Sequence, residues 1–293
     1  MQDSYKEFKK VREFGDLFTD TFNFISHNYK SFFGGFLKLV WPFLAFGLIA
    51  STYYQIKVTG SFFSGAFANP DNPMAFFTNF SIAFIFLIIG TFLIGVASYA
   101  YVNLYIKNYI ETSGNVQLSE VKQQMYDRFI SITGLQFIVG LSIFVGLMIC
   151  LFPGIYLLVP LSFAVSVYVF EDKSVTDAFS HTFRLIRDNW WITFAALVVM
   201  YLVVTFAGFI FQLPIFLYTA IKTALSIQDT SPQQFMQGMS TDYVLLALNA
   251  IATFISFLFN VAFIIMTVYI YFNLNERHYG TGSFEQIDEL GTD

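Results

Sequence analysis

Four stretches of this chain run for more than thirty residues without a single Asp, Glu, Lys or Arg: Met74–Ile106, Phe129–Phe170, Asn189–Ile221 and Tyr243–Asn275. A fifth, Leu39–Ile56, follows Lys38. Charge is costly in hydrocarbon, and about 20 apolar residues cross a bilayer core. These runs therefore predict an all-α polytopic membrane bundle. Composition agrees: hydrophobic residues make up 56% of the chain and charged residues 12%, against about 25% charged in soluble domains.

Phe129–Phe170 is too long for one crossing and holds Phe152-Pro153-Gly154 near its middle. Pro-Gly favours a turn, so the run reads as a hairpin. Six transmembrane helices are expected, at about 32–56, 76–108, 130–151, 154–171, 190–218 and 244–274. Pro160 and Pro214 fall inside the fourth and fifth and should bend them. No cleavable signal peptide is expected at the start. With the N-terminus inside, thirteen of the fifteen Lys and Arg fall in inner segments, leaving Lys57 and Lys222 outside. The positive-inside rule then places both termini in the cytoplasm. Tyr99, Tyr101, Tyr105, Tyr109, Tyr269, Tyr271, Trp190 and Trp191 fall where aromatic belts are expected.

Two segments 161 residues apart resemble each other. Asp16–Tyr29 and Asp177–Trp190 share six identities in fourteen ungapped positions: Asp16/Asp177, Phe18/Phe179, Thr21/Thr182, Phe22/Phe183, Ile25/Ile186 and Asn28/Asn189. Phe18, Phe22, Ile25 and Tyr29 fall on one helical face, as do Phe179, Phe183, Ile186 and Trp190. Leu118, Val121, Met125, Phe129 and Ile132 form a third stripe without the identity. Each segment precedes a pair of spans. The expected organisation is one membrane domain, 1–281, of three parallel repeats (about 14–110, 116–171 and 174–275). Each repeat opens with an amphipathic interfacial helix. The acidic tail, 282–293, reads as disordered.

The stretch Phe152–Trp191 carries a family resemblance. Pro153-Gly154-Ile155-Tyr156 opens a span, Glu171 closes it, and Arg184-Leu185-Ile186-Arg187-Asp188-Asn189-Trp190-Trp191 ends an amphipathic helix. With the Phe14-Gly15-Asp16 start, this resembles the YciC-like membrane proteins and the membrane domain fused to some bacterial glycerophosphodiester phosphodiesterases. The resemblance implies a bacterial inner-membrane protein. It does not imply phosphodiesterase activity, which belongs to a separate barrel domain.

The polar residues suggest few chemistries. The net charge of −5 offers no basic stripe for nucleic acid. Three His and one Cys, scattered, suit neither a zinc site nor a nucleophile, so no cofactor and no enzymatic activity are expected. Cys150 lies in an apolar run and reads as a buried thiol. Arg184 and Arg187 are candidates for lipid headgroup binding, although the positive-inside bias alone would put them there. Asp20, His27, His181 and Asp188 are candidates for inter-repeat contacts, because the alignment sets Asp20 against His181 and His27 against Asp188. Chance placement on polar faces is the plainer reading. Asn103, Gln136, Gln212, Asn249 and Asn260 lie within spans and suit hydrogen bonding between helices. The expected function is a non-enzymatic scaffold or accessory subunit of a cell-envelope complex, with membrane lipids and a membrane protein as partners. A carrier or channel for lipid or another amphiphile is the alternative.

Overall fold

The computed structural model describes residues 6–65, 73–226, 235, 238–239 and 241–280, with the side chains of 59–79 left aside. The expected tail 282–293 lies outside this description, as do the side chains of Phe62, Phe63, Phe76 and Phe77, which the sequence offers as apolar groups for the outer interface. The described chain is helical: α1 (Phe14–Gly65), α2 (Pro73–Glu111), α3 (Leu118–Ile149), α4 (Leu151–Leu161), α5 (Ala164–Phe170), α6 (Val175–Ile186), α7 (Trp190–Ser226) and α8 (Tyr243–Tyr279). Six segments are long and apolar enough to cross a membrane, with α4 and α5 together forming one of them. The protein is an all-α helical bundle.

The chain divides into two compact units. The first comprises Met1–Val40, Val96–Val204 and Val261–Asp293; the second comprises Trp41–Gly95 and Thr205–Asn260. All of α3 to α6 belongs to the first unit, whereas α1, α2, α7 and α8 contribute a length to each.

In the first unit, an extended segment before α1 is held by two side chains. Phe8 is fully buried, stacked on Tyr269 at 4.5 Å and edge-on to Phe24 at 5.4 Å. Arg12 is 1% exposed. Its guanidinium donates to the backbone carbonyls of Glu7, Phe8 and Lys10, pairs with Asp20 at 2.8 Å, and lies over the Tyr269 ring at 4.6 Å. Its backbone N–H donates to Asn273 Oδ1 at 2.8 Å, and Arg277 donates back to its carbonyl at 3.0 Å. A buried cation is tolerated only when its donors are satisfied in this way.

Most of the expected tyrosine belt lies in the interior of this unit. Tyr101, Tyr105, Tyr109, Tyr269 and Tyr271 are buried. The hydroxyls of Tyr101, Tyr105 and Tyr271 donate to Phe32 O, Ser31 Oγ and Glu171 Oε1, and that of Tyr109 accepts from the Lys6 N–H. A buried tyrosine is stable where its hydroxyl finds such a partner. Ser166 of α5 donates to Asn103 of α2 at 2.8 Å, so Asn103 joins helices as expected.

The amphipathic segments differ from expectation in two ways. Residues 14–29 and 118–132 continue without a break into the long helices α1 and α3, so only α6 stands as a separate helix. The buried face is also one residue off the expected stripe. In α1 it is Leu17, Thr21 and Phe24, with Phe22 and Tyr29 exposed; in α6 it is Ala178, Thr182 and Leu185, together with His181 and Ile186. The aligned positions 17/178, 21/182 and 24/185 are thus buried alike. In a membrane the outward face is apolar too, so hydrophobicity alone does not tell inside from outside. The third stripe matches better, with Val121, Met125 and Ile132 buried.

The α3–α4 hairpin turns at Cys150, whose extended backbone (φ −168°, ψ 152°) is the only break between the helices. Cys150 is exposed, because it occupies a turn and not the run's interior. Pro153 sits in the first turn of α4, where no backbone donor is lost. Gly154 serves close packing: a Cβ there would lie 2.4 Å from the Leu147 side chain and 2.8 Å from its backbone nitrogen. Pro160, expected to bend the span, interrupts it: α4 ends at Leu161 and α5 resumes at Ala164. α6 packs against α3, α4 and α5.

In the second unit, Gly47 of α1 meets Gly90 of α2, where a Cβ on Gly90 would be 3.2 Å from the Gly47 Cα. Pro42 and Pro214 lie inside α1 and α7, which are continuous around them. Asp242 caps α8, accepting from the N–H groups of Val244 and Leu245 at 2.9 and 3.2 Å. It is paired with Lys222 and accepts from the Tyr218 hydroxyl at 2.9 Å. The Lys222 contact, opposed by burial and aided by the Leu245 N–H and Tyr218, holds its carboxyl down at about 2.

Candidate functional site

Two cavities of the first unit stand out among the described residues. The larger, about 570 Å³, lies at the turn between α5 and α6 and draws on the N-terminal segment, α2 and α8. Asp172 adopts a left-handed backbone (φ 47°), a conformation Asp tolerates better than most residues. Its carboxylate is held by Lys107 at 2.9 Å and Arg128 at 2.7 Å. Burial would raise its pKa, but these two cations hold it below the ordinary Asp value.

On either side of Asp172, Glu171 and Lys173 form an ion pair, and both reach His181. The Lys173 ammonium lies 2.8 Å from His181 Nδ1. An ammonium can only donate, so Nδ1 accepts and the ring proton resides on Nε2. That N–H is buried without a hydrogen-bond partner among the described residues, 3.5 Å from Glu171 Oε2. Burial lowers the His181 pKa; Glu171 opposes the shift, and Lys173 and Arg184 reinforce it. The ring stacks on Tyr279, with centroids 6.4 Å apart.

The second cavity, about 560 Å³, is a slot between the start of α4 and the start of α7. Pro160 has no N–H to offer the Tyr156 carbonyl one turn back. The Trp190 indole donates to that carbonyl at 3.3 Å. The Trp190 ring also stacks on Tyr156 at 5.6 Å and on Phe194 at 5.1 Å. Phe152 and Trp191 line the rim, 79% and 76% exposed. Arg187 and Asp188 stand beside them, exposed, with no side-chain hydrogen bond or ion pair to the described residues.

The two candidate arginines fall in different surroundings. Arg187 lines the slot, whereas Arg184 Nη2 lies 3.5 Å from His181 Nδ1. The four candidate inter-repeat residues do not pair with one another among the described residues. Asp20 is taken by Arg12 and Lys10, His27 Nδ1 donates to Asn23 O at 2.7 Å, His181 joins Lys173 and Glu171, and Asp188 stands free. Each paired group meets a nearer partner, from the N-terminal segment, its own helix or the α5–α6 turn.

Sequence reasoning missed Arg12, Lys107, Glu171 and Tyr271, each of which has one partner far away along the chain: Asn273 for Arg12, Asp172 for Lys107, and Glu171 and Tyr271 for each other. The one local signal was Pro160: it frees the carbonyl of residue 156, which requires a donor from elsewhere. Among the described residues, no three His, Cys, Asp or Glu side chains cluster to hold a metal ion.

A family model described as a domain of unknown function, DUF7847, matches residues 71–274. The chain belongs to the DUF7847 family. The match contains the whole slot and, in the larger cavity, Lys107, Glu171, Lys173, His181 and Tyr271, but not Lys9 or Tyr279. No curated protein and no solved structure matches this DUF7847 member.

Proposed function

We propose that this DUF7847 protein is a non-catalytic integral membrane protein of the bacterial cytoplasmic membrane that holds a zwitterionic phospholipid by its headgroup. The observation that carries this reading is the pairing of unpartnered Arg187 and Asp188 beside the aromatic slot of Tyr156, Trp190, Trp191 and Phe194. A guanidinium fork suits a phosphate. An aromatic wall with an adjacent carboxylate suits an ammonium. The two charges sit one residue apart, as they do in a headgroup that carries both. Exposed Leu151, Phe152, Trp191 and Ile192 offer apolar surface for the acyl chains. The Lys and Arg asymmetry supports cytoplasmic termini, and the resemblance to the YciC-like proteins supports the same setting.

The test is native mass spectrometry of the protein extracted in mild detergent, with Arg187→Ala and Asp188→Asn as variants. Retained zwitterionic lipid that falls several-fold in each variant is the expected result. Unchanged lipid occupancy in both would remove the slot from consideration.

A second reading, an accessory subunit of an envelope complex, is favoured by α7. Its most apolar stretch is only 17% buried, against 56% for α4–α5. That open face accepts lipid chains or the helix of a partner. A membrane protein retained at fixed stoichiometry in the same spectra supports the subunit reading.

A further inference from the structure

The larger cavity has a chemistry of its own. Its wall presents three ammonium groups, from Lys9 before α1, Lys107 on α2 and Lys173 after α5. Two carboxylates, Glu111 and Glu171, face the same space. His181 adds an Nε2–H that is buried and makes no hydrogen bond among the described residues. A buried donor without a partner is costly, so an acceptor supplied from outside the chain would be favoured at that atom. The Lys173 ammonium fixes the tautomer, which leaves Nε2 able to donate but not to accept.

We propose that this cavity is a second binding site, for a small oxyanion group that also carries hydroxyl donors. The oxyanion accepts from His181 Nε2–H and from the lysine ammoniums, and the hydroxyls donate to the carboxylates of Glu111 and Glu171. A phosphate ester of a polyol has both halves. A volume of about 570 Å³ is in the range of small-ligand sites. The inference does not rest on the slot. The slot's walls are aromatic with one charge of each sign, whereas this cavity is rimmed by lysines and takes an anion. The Nε2–H is the feature that separates a binding site from a charged surface, because ordinary surface lysines satisfy themselves with water.

The anion has two sources, a soluble phosphorylated polyol or the headgroup of an anionic lipid. Both are tested on the full chain in detergent by isothermal titration. Glycerol phosphate and inorganic phosphate serve as soluble probes, and phosphatidylglycerol in mixed micelles serves as the lipid probe. Saturable 1:1 binding of at least one probe is expected. That binding should weaken at least tenfold in His181→Phe, which keeps a ring to stack on Tyr279 but removes the N–H. Lys9→Gln, placed outside every helix, should weaken the same probe severalfold. Binding of the soluble esters assigns a soluble ligand, and binding of the lipid alone assigns a headgroup. Absence of saturable binding by every probe, or equal binding by wild type and His181→Phe, overturns the proposal. Zwitterionic lipid retained by His181→Phe shows that the variant is folded and that the slot stands apart.

Discussion

His181 shows how one side chain can be held in a single protonation state. Burial is the largest influence and disfavours the imidazolium; Lys173 and Arg184 act in the same direction, and Glu171 opposes them. The folded pKa therefore lies below the ordinary value of 6.5. A group depressed in this way contributes stability above its unfolded pKa and loses it as pH falls through the folded one. Thermal unfolding in detergent should therefore show stability declining as pH drops below about 6.5, with a shallower decline in His181→Phe. A wild-type profile that is flat, or that rises toward acid, would contradict the assignment. Little of this was legible in the sequence. In the sequence the Phe179–Phe183 stripe marks an interior face and leaves His181 on a polar one. In lipid those phenylalanines can face outward, and the smaller Ala178 and Thr182 are buried instead. Arg187 stands out in the sequence as a basic residue for lipid headgroups and Asp188 only through the repeat alignment; Tyr156 and Phe152 become their neighbours only through the fold.

Among the elements, the α3–α4 hairpin depends most on one small residue. Gly146 and Gly154 bring the two helices together backbone to backbone, and a Cβ on Gly154 meets the Leu147 nitrogen at 2.8 Å. Backbone cannot swing aside as a side-chain tip can. Overfilling a close-packed contact typically costs about 1–3 kcal/mol, so Gly154→Ala should lower the melting temperature by several degrees. Gly134→Ala, where nothing lies within 4 Å of the new methyl, is the matched control and should leave it unchanged or slightly raised. Equal melting temperatures for the two variants would show that the hairpin does not need the close approach. The hairpin itself could be read from the length of the charge-free run. Its turn was placed a few residues late because Pro-Gly usually breaks structure, whereas here the proline opens a helix and the glycine packs within it.

At the scale of the molecule, the charge-free runs sufficed for the helical class and for six segments able to cross a membrane. Which of them cross is a separate matter. The expected arrangement sets the α3–α4 turn and the start of α7 on opposite faces of a core about 30 Å thick. Yet Trp190 stacks on Tyr156, and Tyr156 is six residues from Cys150, about 9 Å of helical rise. Phe152 and Arg187 line one slot. The turn and the start of α7 therefore lie at similar depth, which a re-entrant hairpin whose turn stops short of the far face would satisfy. Cys150 is the chain's single cysteine and is exposed, so it is a ready reporter. A membrane-impermeant thiol reagent should reach Cys150 from the same side as a cysteine placed at Arg187→Cys in a Cys150→Ser background. Labelling from opposite sides would restore two full crossings.

The segment around Arg12 also sets an order in time. Its backbone partner Asn273 is 261 residues away, and Tyr269 and Arg277 belong to the same late helix. During synthesis the arginine therefore emerges well before the groups that receive it. Until α8 is made, a guanidinium destined for the interior has to wait in water. Closure of this unit thereby waits for the synthesis of α8, and a chain stalled before Tyr269 would leave the segment around Arg12 undocked.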